Sequence, residues 1–249
     1  MMLLVIEMKN KILKLIGVGA ILATLTGCGS SASNISVSRN DTASFKYDYE
    51  SLNGTTNSSG KEFRSITVDE NSHITIATLD QINQYMDDGK TFMVYFGFSA
   101  CPWCRSMLPY FLKNANEMGV DNIYYVNVRS DNTENTDIRD IYSLDENKKV
   151  YLSHSGSDAY HTFIKRASSV LEDYSHGDIK SLDGTEFEGA KRLGAPNIII
   201  VNKGNATDMI TGISDLQTDG YQELTDDIVN DMNKIDKEFI NKYLSILGN

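Results

Sequence analysis

The chain changes its hydrophobic pattern several times along its length. Residues 8–27 open with Lys9, Lys11 and Lys14, and an apolar run follows over residues 15–25. Residues 29–67 are rich in Ser, Asn, Thr and Gly and hold no sustained apolar period. Such a stretch buries too little surface to offset its ordering entropy, so residues 28–67 are expected to form a flexible polar tether. A domain is expected from residue 68 to the C-terminus.

Within that domain, residues 73–77 (HITIA) alternate and predict a short strand. Thr78 and Gln81 have the spacing of a capping box. Leu79, Ile82, Tyr85 and Met86 then give one apolar helix face, which Gly89 ends. Residues 91–98 (TFMVYFGF) are a continuous apolar run, the signature of a strand buried on both faces. A helix is expected over 102–118, with Met107, Leu108, Phe111, Leu112 and Ala115 on one side. Residues 122–128 (NIYYVNV) predict a second buried strand and residues 197–202 (NIIIVN) a third, with a turn at 203–206 and a returning strand at 208–211. Leu224, Ile228, Met232, Ile235, Phe239 and Tyr243 mark a long C-terminal helix or helix pair. Between the second and third buried strands, residues 129–190 show one clear helical period, over 157–175, and are expected to be a mainly helical insertion. The order predicts an α/β domain with a central sheet flanked by helices.

Charge and cysteine content narrow the chemistry. The net charge is -11 over 249 residues. Phosphate contacts need clustered Lys and Arg, so no nucleic-acid partner is expected. The three cysteines, Cys28, Cys101 and Cys104, are too few for a disulfide scaffold or a four-ligand zinc site. His73, His154, His161 and His176 are scattered, and no metal site is expected.

The basic start and apolar run fit a secretory signal. They are short for a membrane span, which needs about 20 apolar residues. Residues 25–28 (LTGC) resemble a bacterial lipobox, which implies cleavage before Cys28 and lipid on its sulfur. Residues 1–27 are then a lipoprotein signal peptide, and the protein is held at the extracytoplasmic face of the cell membrane. An ordinary cleaved signal and an uncleaved anchor are the alternatives. Met8 reads as a better start than Met1, because residues 1–7 add an apolar prefix ahead of the basic region.

Cys101-Pro102-Trp103-Cys104 falls directly between a buried strand and a helix. A thiolate is the attacking species in disulfide exchange, and a helix N-terminus stabilises it with free N–H groups and the positive end of its dipole. Cys101 is thus expected to be the exposed nucleophile. Cys104, about one turn on, would be the resolving thiol.

On these residues the chain resembles the thioredoxin superfamily. All three prolines fall where that family uses them. Pro102 lies inside the CxxC, and Pro109 falls where the active-site helix kinks. Pro196 directly precedes the third buried strand. The resemblance implies a thioredoxin-like fold, a cis bond before Pro196, and an Ala195 backbone offered to an extended substrate. It further implies that the cofactor is the Cys101–Cys104 redox disulfide alone. A trans strand-entry proline is the alternative for Pro196. Gly212 matches a family glycine near the active site.

There are departures. Tyr95 stands where thioredoxin has a buried Asp that helps deprotonate the resolving cysteine, and Pro102-Trp103 replaces Gly-Pro. The stretch between Cys104 and Pro196 exceeds thioredoxin's and is about where disulfide oxidases of the DsbA type carry a helical insertion. Trp103 is either a packed aromatic or an apolar contact for substrate. It carries no charge, so a potential between about -270 mV for thioredoxin and about -120 mV for DsbA is expected. The expected partners are protein or peptide thiols and disulfides and a membrane redox partner. The whole pattern more loosely resembles thioredoxin-like bacteriocin transport accessory proteins of Gram-positive bacteria. A non-catalytic peptide-binding or export-accessory lipoprotein is the alternative function.

Overall fold

The computed structural model describes residues 39–248. The signal segment 1–27, the lipid site Cys28 and the first part of the expected tether lie outside the described residues. The domain is α/β, with a mixed central sheet flanked by helices on both faces.

Five strands form that sheet: β1 (Ile74–Ile76), β2 (Phe92–Gly97), β3 (Ile123–Asn127), β8 (Asn197–Asn202) and β9 (Asn205–Ile210), in the order β1-β3-β2-β8-β9. β1 and β2 both run parallel to β3, whereas β8 and β9 are antiparallel to their neighbours. All six residues of β2 are buried. This is why its sequence reads as an unbroken apolar run instead of an alternation. β8 and β9 are joined at Lys203 and Gly204, both with positive φ. That is the backbone of a two-residue hairpin turn. A Cβ on Gly204 would meet the Met86 carbonyl at 2.2 Å, so glycine is required there.

The pleat divides β2 between two cores. Phe92, Val94 and Phe96 face α2 (Leu79–Asp87) and α4 (Asp158–Ala167). Met93 and Tyr95 face α1 (Arg39–Glu50), α3 (Pro102–Glu117) and α5 (Asp226–Leu247). The expected capping box opens α2: Thr78 Oγ1 accepts from the Gln81 N–H, and Gln81 Oε1 accepts from the Thr78 N–H. The C-terminal segment is one helix of 22 residues, not a pair.

Two expectations are corrected. The tether does not continue through residues 39–67, because α1 lies there with Phe45 and Tyr49 fully buried. These rings stand four apart on one helix face in an otherwise polar sequence, so the segment's average polarity hides them. Burying each is worth about 1.5–3 kcal/mol before ordering costs. Phe63 and Ile66, beyond the helix, are buried too.

The insertion is not mainly helical. It holds α4, a short 3-10 turn at Glu134–Thr136, the hairpin β4 (Ile141–Leu144) with β5 (Val150–His154), and β6 (Glu172–Asp173), which pairs with β7 (Lys191–Arg192) just past its end. The helix expected over 157–175 stops at Ala167. Leu171 and Tyr174 are buried from irregular chain instead.

Candidate active site

The end of β2 and the start of α3 create the site. Phe98, Ser99 and Ala100 lead off the sheet, and Cys101 is the N-cap of α3 with extended backbone. Its sulfur takes the capping role usually filled by an oxygen, accepting from the Cys104 N–H at 3.2 Å. Pro102 at the first helical position sacrifices no hydrogen bond, since that N–H has no partner within the helix. Cys101 and Cys104 are both free thiols.

The Ala195–Pro196 peptide bond is cis. The Cys101 thiol donates to the Ala195 carbonyl at 3.2 Å, so the structure brings the CxxC and the proline loop together. Cys101 is only 3% exposed, and the exposed position expected for it is not found. Trp103 is half-buried. It lines a groove of about 340 Å³ with Ala195, Pro196, Met209 and Ile213. Gly212 has φ +67°, and a Cβ there would press on Met107. Pro109 lies inside α3.

The two thiols are pushed apart in acidity. Burial works against the Cys101 thiolate, but hydrogen bonds from Cys104 and from the Trp103 backbone, with the Arg139 charge, outweigh it and lower its pKa. Burial raises the Cys104 pKa well above the ordinary value, and the neighbouring Cys101 raises it further. The Tyr95 hydroxyl and the Phe98 backbone pull the other way. Such a pair holds one ready nucleophile beside one reserve thiol.

Several supporting residues were not singled out in the sequence. Arg139, in the insertion, donates to Asp137 and to the Leu193 carbonyl, two residues before Ala195. Asp137 is fully buried. Burial opposes its charge, but Arg139 and Arg129 hold its carboxyl below the usual range. Asn132 Oδ1 accepts from the Ala100 N–H, and Ser99 Oγ donates to Asp48 on α1, so both flanking segments hold the loop before Cys101.

Arg105, fully buried, follows Cys104 directly. It donates to the carbonyls of Arg64, Tyr49 and Ser99 and to Asn53 Oδ1. Its acceptors are all neutral, and three of them belong to the segment once read as tether. One signal did exist: an arginine on the stripe that carries Cys104 and Leu108 must find acceptors when buried.

No family model matches this chain, and no curated protein matches it. Among the described residues, no group of three or more His, Cys, Asp or Glu side chains is placed to hold a metal ion. His154 meets the Asp137 carbonyl and His161 meets Asp140, while His73 is exposed and His176 sits beside Arg192.

Proposed function

We propose that this protein is a thiol–disulfide oxidoreductase of thioredoxin-like fold, acting on extracytoplasmic protein or peptide substrates through Cys101 and Cys104. One observation carries the reading: Cys101 caps α3 with a lowered pKa while Cys104, one turn on, has a raised one. The Cys101 thiolate attacks a substrate disulfide and forms a mixed disulfide. Cys104 then attacks Cys101 and releases the substrate thiol. The reverse sequence installs a disulfide. The groove beside Trp103 and Ala195 suits an extended peptide, whose approach must displace the Cys101 thiol from the Ala195 carbonyl. No metal or nucleotide is needed. A membrane redox partner returns or removes the electrons, and lipid on Cys28 holds the enzyme at the extracytoplasmic face of the cell membrane.

Insulin reduction and reoxidation of a scrambled disulfide protein test the chemistry. Wild type is expected to turn over, Cys101→Ser to be inert, and Cys104→Ala to accumulate mixed disulfides seen by mass spectrometry. Activity that survives Cys101→Ser sinks the reading. Cys28→Ala is expected to move the protein from the membrane fraction to the soluble one. The near-complete burial of Cys101 favours a second reading, a non-catalytic peptide-binding lipoprotein. That reading predicts peptide binding unchanged in Cys101→Ser and no exchange in wild type.

A further inference from the structure

Behind Cys104 lies a closed cluster of tyrosines drawn from three elements. Tyr49 on α1, Tyr95 on β2 and Tyr125 on β3 are at most 2% exposed, and Cys104 is fully buried. The Tyr49 and Tyr95 hydroxyls are 2.8 Å apart. Tyr95 stacks on Tyr125 with ring centroids 5.5 Å apart, and the Tyr125 hydroxyl donates to the Gly97 carbonyl. The Tyr95 ring lies along its own strand, so close over Gly97 that a Cβ there would sit 2.2 Å from the hydroxyl oxygen. Tyr95 and the buried Cys104 belong to this one cluster, and each acts on the other's acidity.

The titratable groups that act on Cys104 include Cys101 and Arg105 on α3, Tyr95, Tyr49 and Tyr125. Resting on the exchange reading above, we propose that Tyr95 is a catalytic residue of the second step: its hydroxyl, aimed by Tyr49, donates a hydrogen bond to Cys104 sulfur as that sulfur loses its proton. A hydroxyl has one proton to give. With Tyr95 donating to Cys104, Tyr49 must donate to Tyr95, which makes Tyr49 a positioning residue.

In the step itself, Cys104 gives up its proton and its sulfur attacks Cys101. The Cys101–Cys104 bond forms and the bond from Cys101 to the substrate sulfur breaks. The leaving sulfur takes the electron pair and ends with the proton as a thiol. Over the two exchange steps together, the cysteine pair is oxidised by two electrons and the substrate disulfide is reduced by two to a pair of thiols. Tyr95 keeps its own proton throughout. Burial, with Cys104 and Tyr125 beside it, holds its pKa well above the ordinary phenol value, so it is a donor and not a base.

Tyr95→Phe in the full chain is the test, since the ring stays and only the hydroxyl goes. Formation of the mixed disulfide in stopped flow is expected to change less than about twofold, and its resolution by Cys104 to slow about tenfold or more. Tyr49→Phe is expected to give a smaller slowing of the same step. Tyr125→Phe, which removes a cluster hydroxyl bonded to Gly97 and coupled to Tyr49, is expected to slow that step less than Tyr95→Phe does. A second readout does not need exchange. In a Cys101→Ser background, the Cys104 titration followed by its 13Cβ shift is expected to move up on adding Tyr95→Phe, because a hydrogen bond that favours the thiolate is lost.

Resolution at the wild-type rate, an unmoved Cys104 titration, or equal slowing by Tyr125→Phe each overturns the proposal and leaves the oxidoreductase reading standing. If wild type forms no mixed disulfide at all, that reading falls and the catalytic role falls with it.

Discussion

Cys101 and Cys104 are three residues apart on one helix end and are driven to opposite acidities, and the residue responsible for part of that difference lies far away in sequence. Arg139 is held by Asp137 and by the Leu193 carbonyl, so its charge cannot swing away from Cys101. Arg139→Gln is expected to raise the Cys101 pKa, because a positive charge that favours the thiolate is lost. The pH midpoint of iodoacetamide reaction at Cys101 checks this, and an unmoved or lowered midpoint rejects it. Gly97 is bound to Tyr95 in a similar way. Gly97→Ala is expected to displace the Tyr95 hydroxyl and to cost about 1–3 kcal/mol of stability, read from urea unfolding. It is also expected to slow the resolving step as Tyr95→Phe does.

α1 is the element that most changes the picture of the site. It covers Cys104 from behind through Tyr49, and its segment receives most of the hydrogen bonds from Arg105. Arg105→Met is expected to leave those carbonyls without donors and to destabilise the fold by about 3 kcal/mol or more. It should also open residues 51–66 to proteolysis, and limited trypsin digestion reads that directly. This also explains what the sequence revealed and what it concealed. β2, α2 and α3 were legible because TFMVYFGF, the Thr78–Gln81 pair and the CxxC with its prolines are local signals. α1 was not, since its two buried rings matter only against Tyr95 and Tyr125 from distant strands. The β4–β5 hairpin was missed for a related reason: its residues are mostly half-exposed or exposed, with Tyr151 and Leu152 facing water, so no alternation stands out. Arg139 gave no pattern of its own, and Arg105 on its buried stripe signalled only a need for acceptors, which other segments supply.

At the scale of the whole molecule, Asp236 sets a pH dependence. It is buried between α5 and α3, where burial raises its pKa from 3.8 to about 8 against the opposing hydrogen bond from Asn114. The folded protein therefore holds this proton through a window in which the unfolded chain has released it. Stability is fully present below about pH 4 and falls as pH rises through the folded pKa of about 8. Asp236→Asn is expected to remove that slope, with a gain in urea midpoint that is largest near pH 8 and vanishes near pH 4; a gain independent of pH would contradict it. The order of synthesis adds something the finished fold does not display. Tyr49 emerges 46 residues before Tyr95 and 56 before Arg105, its partners in the site. A growing chain thus completes its CxxC while the helix that will shield Cys104 has nothing to dock on, and β3 is still to come. An oxidant that reaches such a chain meets two uncovered thiols of ordinary acidity. The unequal pair exists only once α1 from before it and Arg139 from after it have folded around it, so it belongs to the completed domain and not to the tetrapeptide.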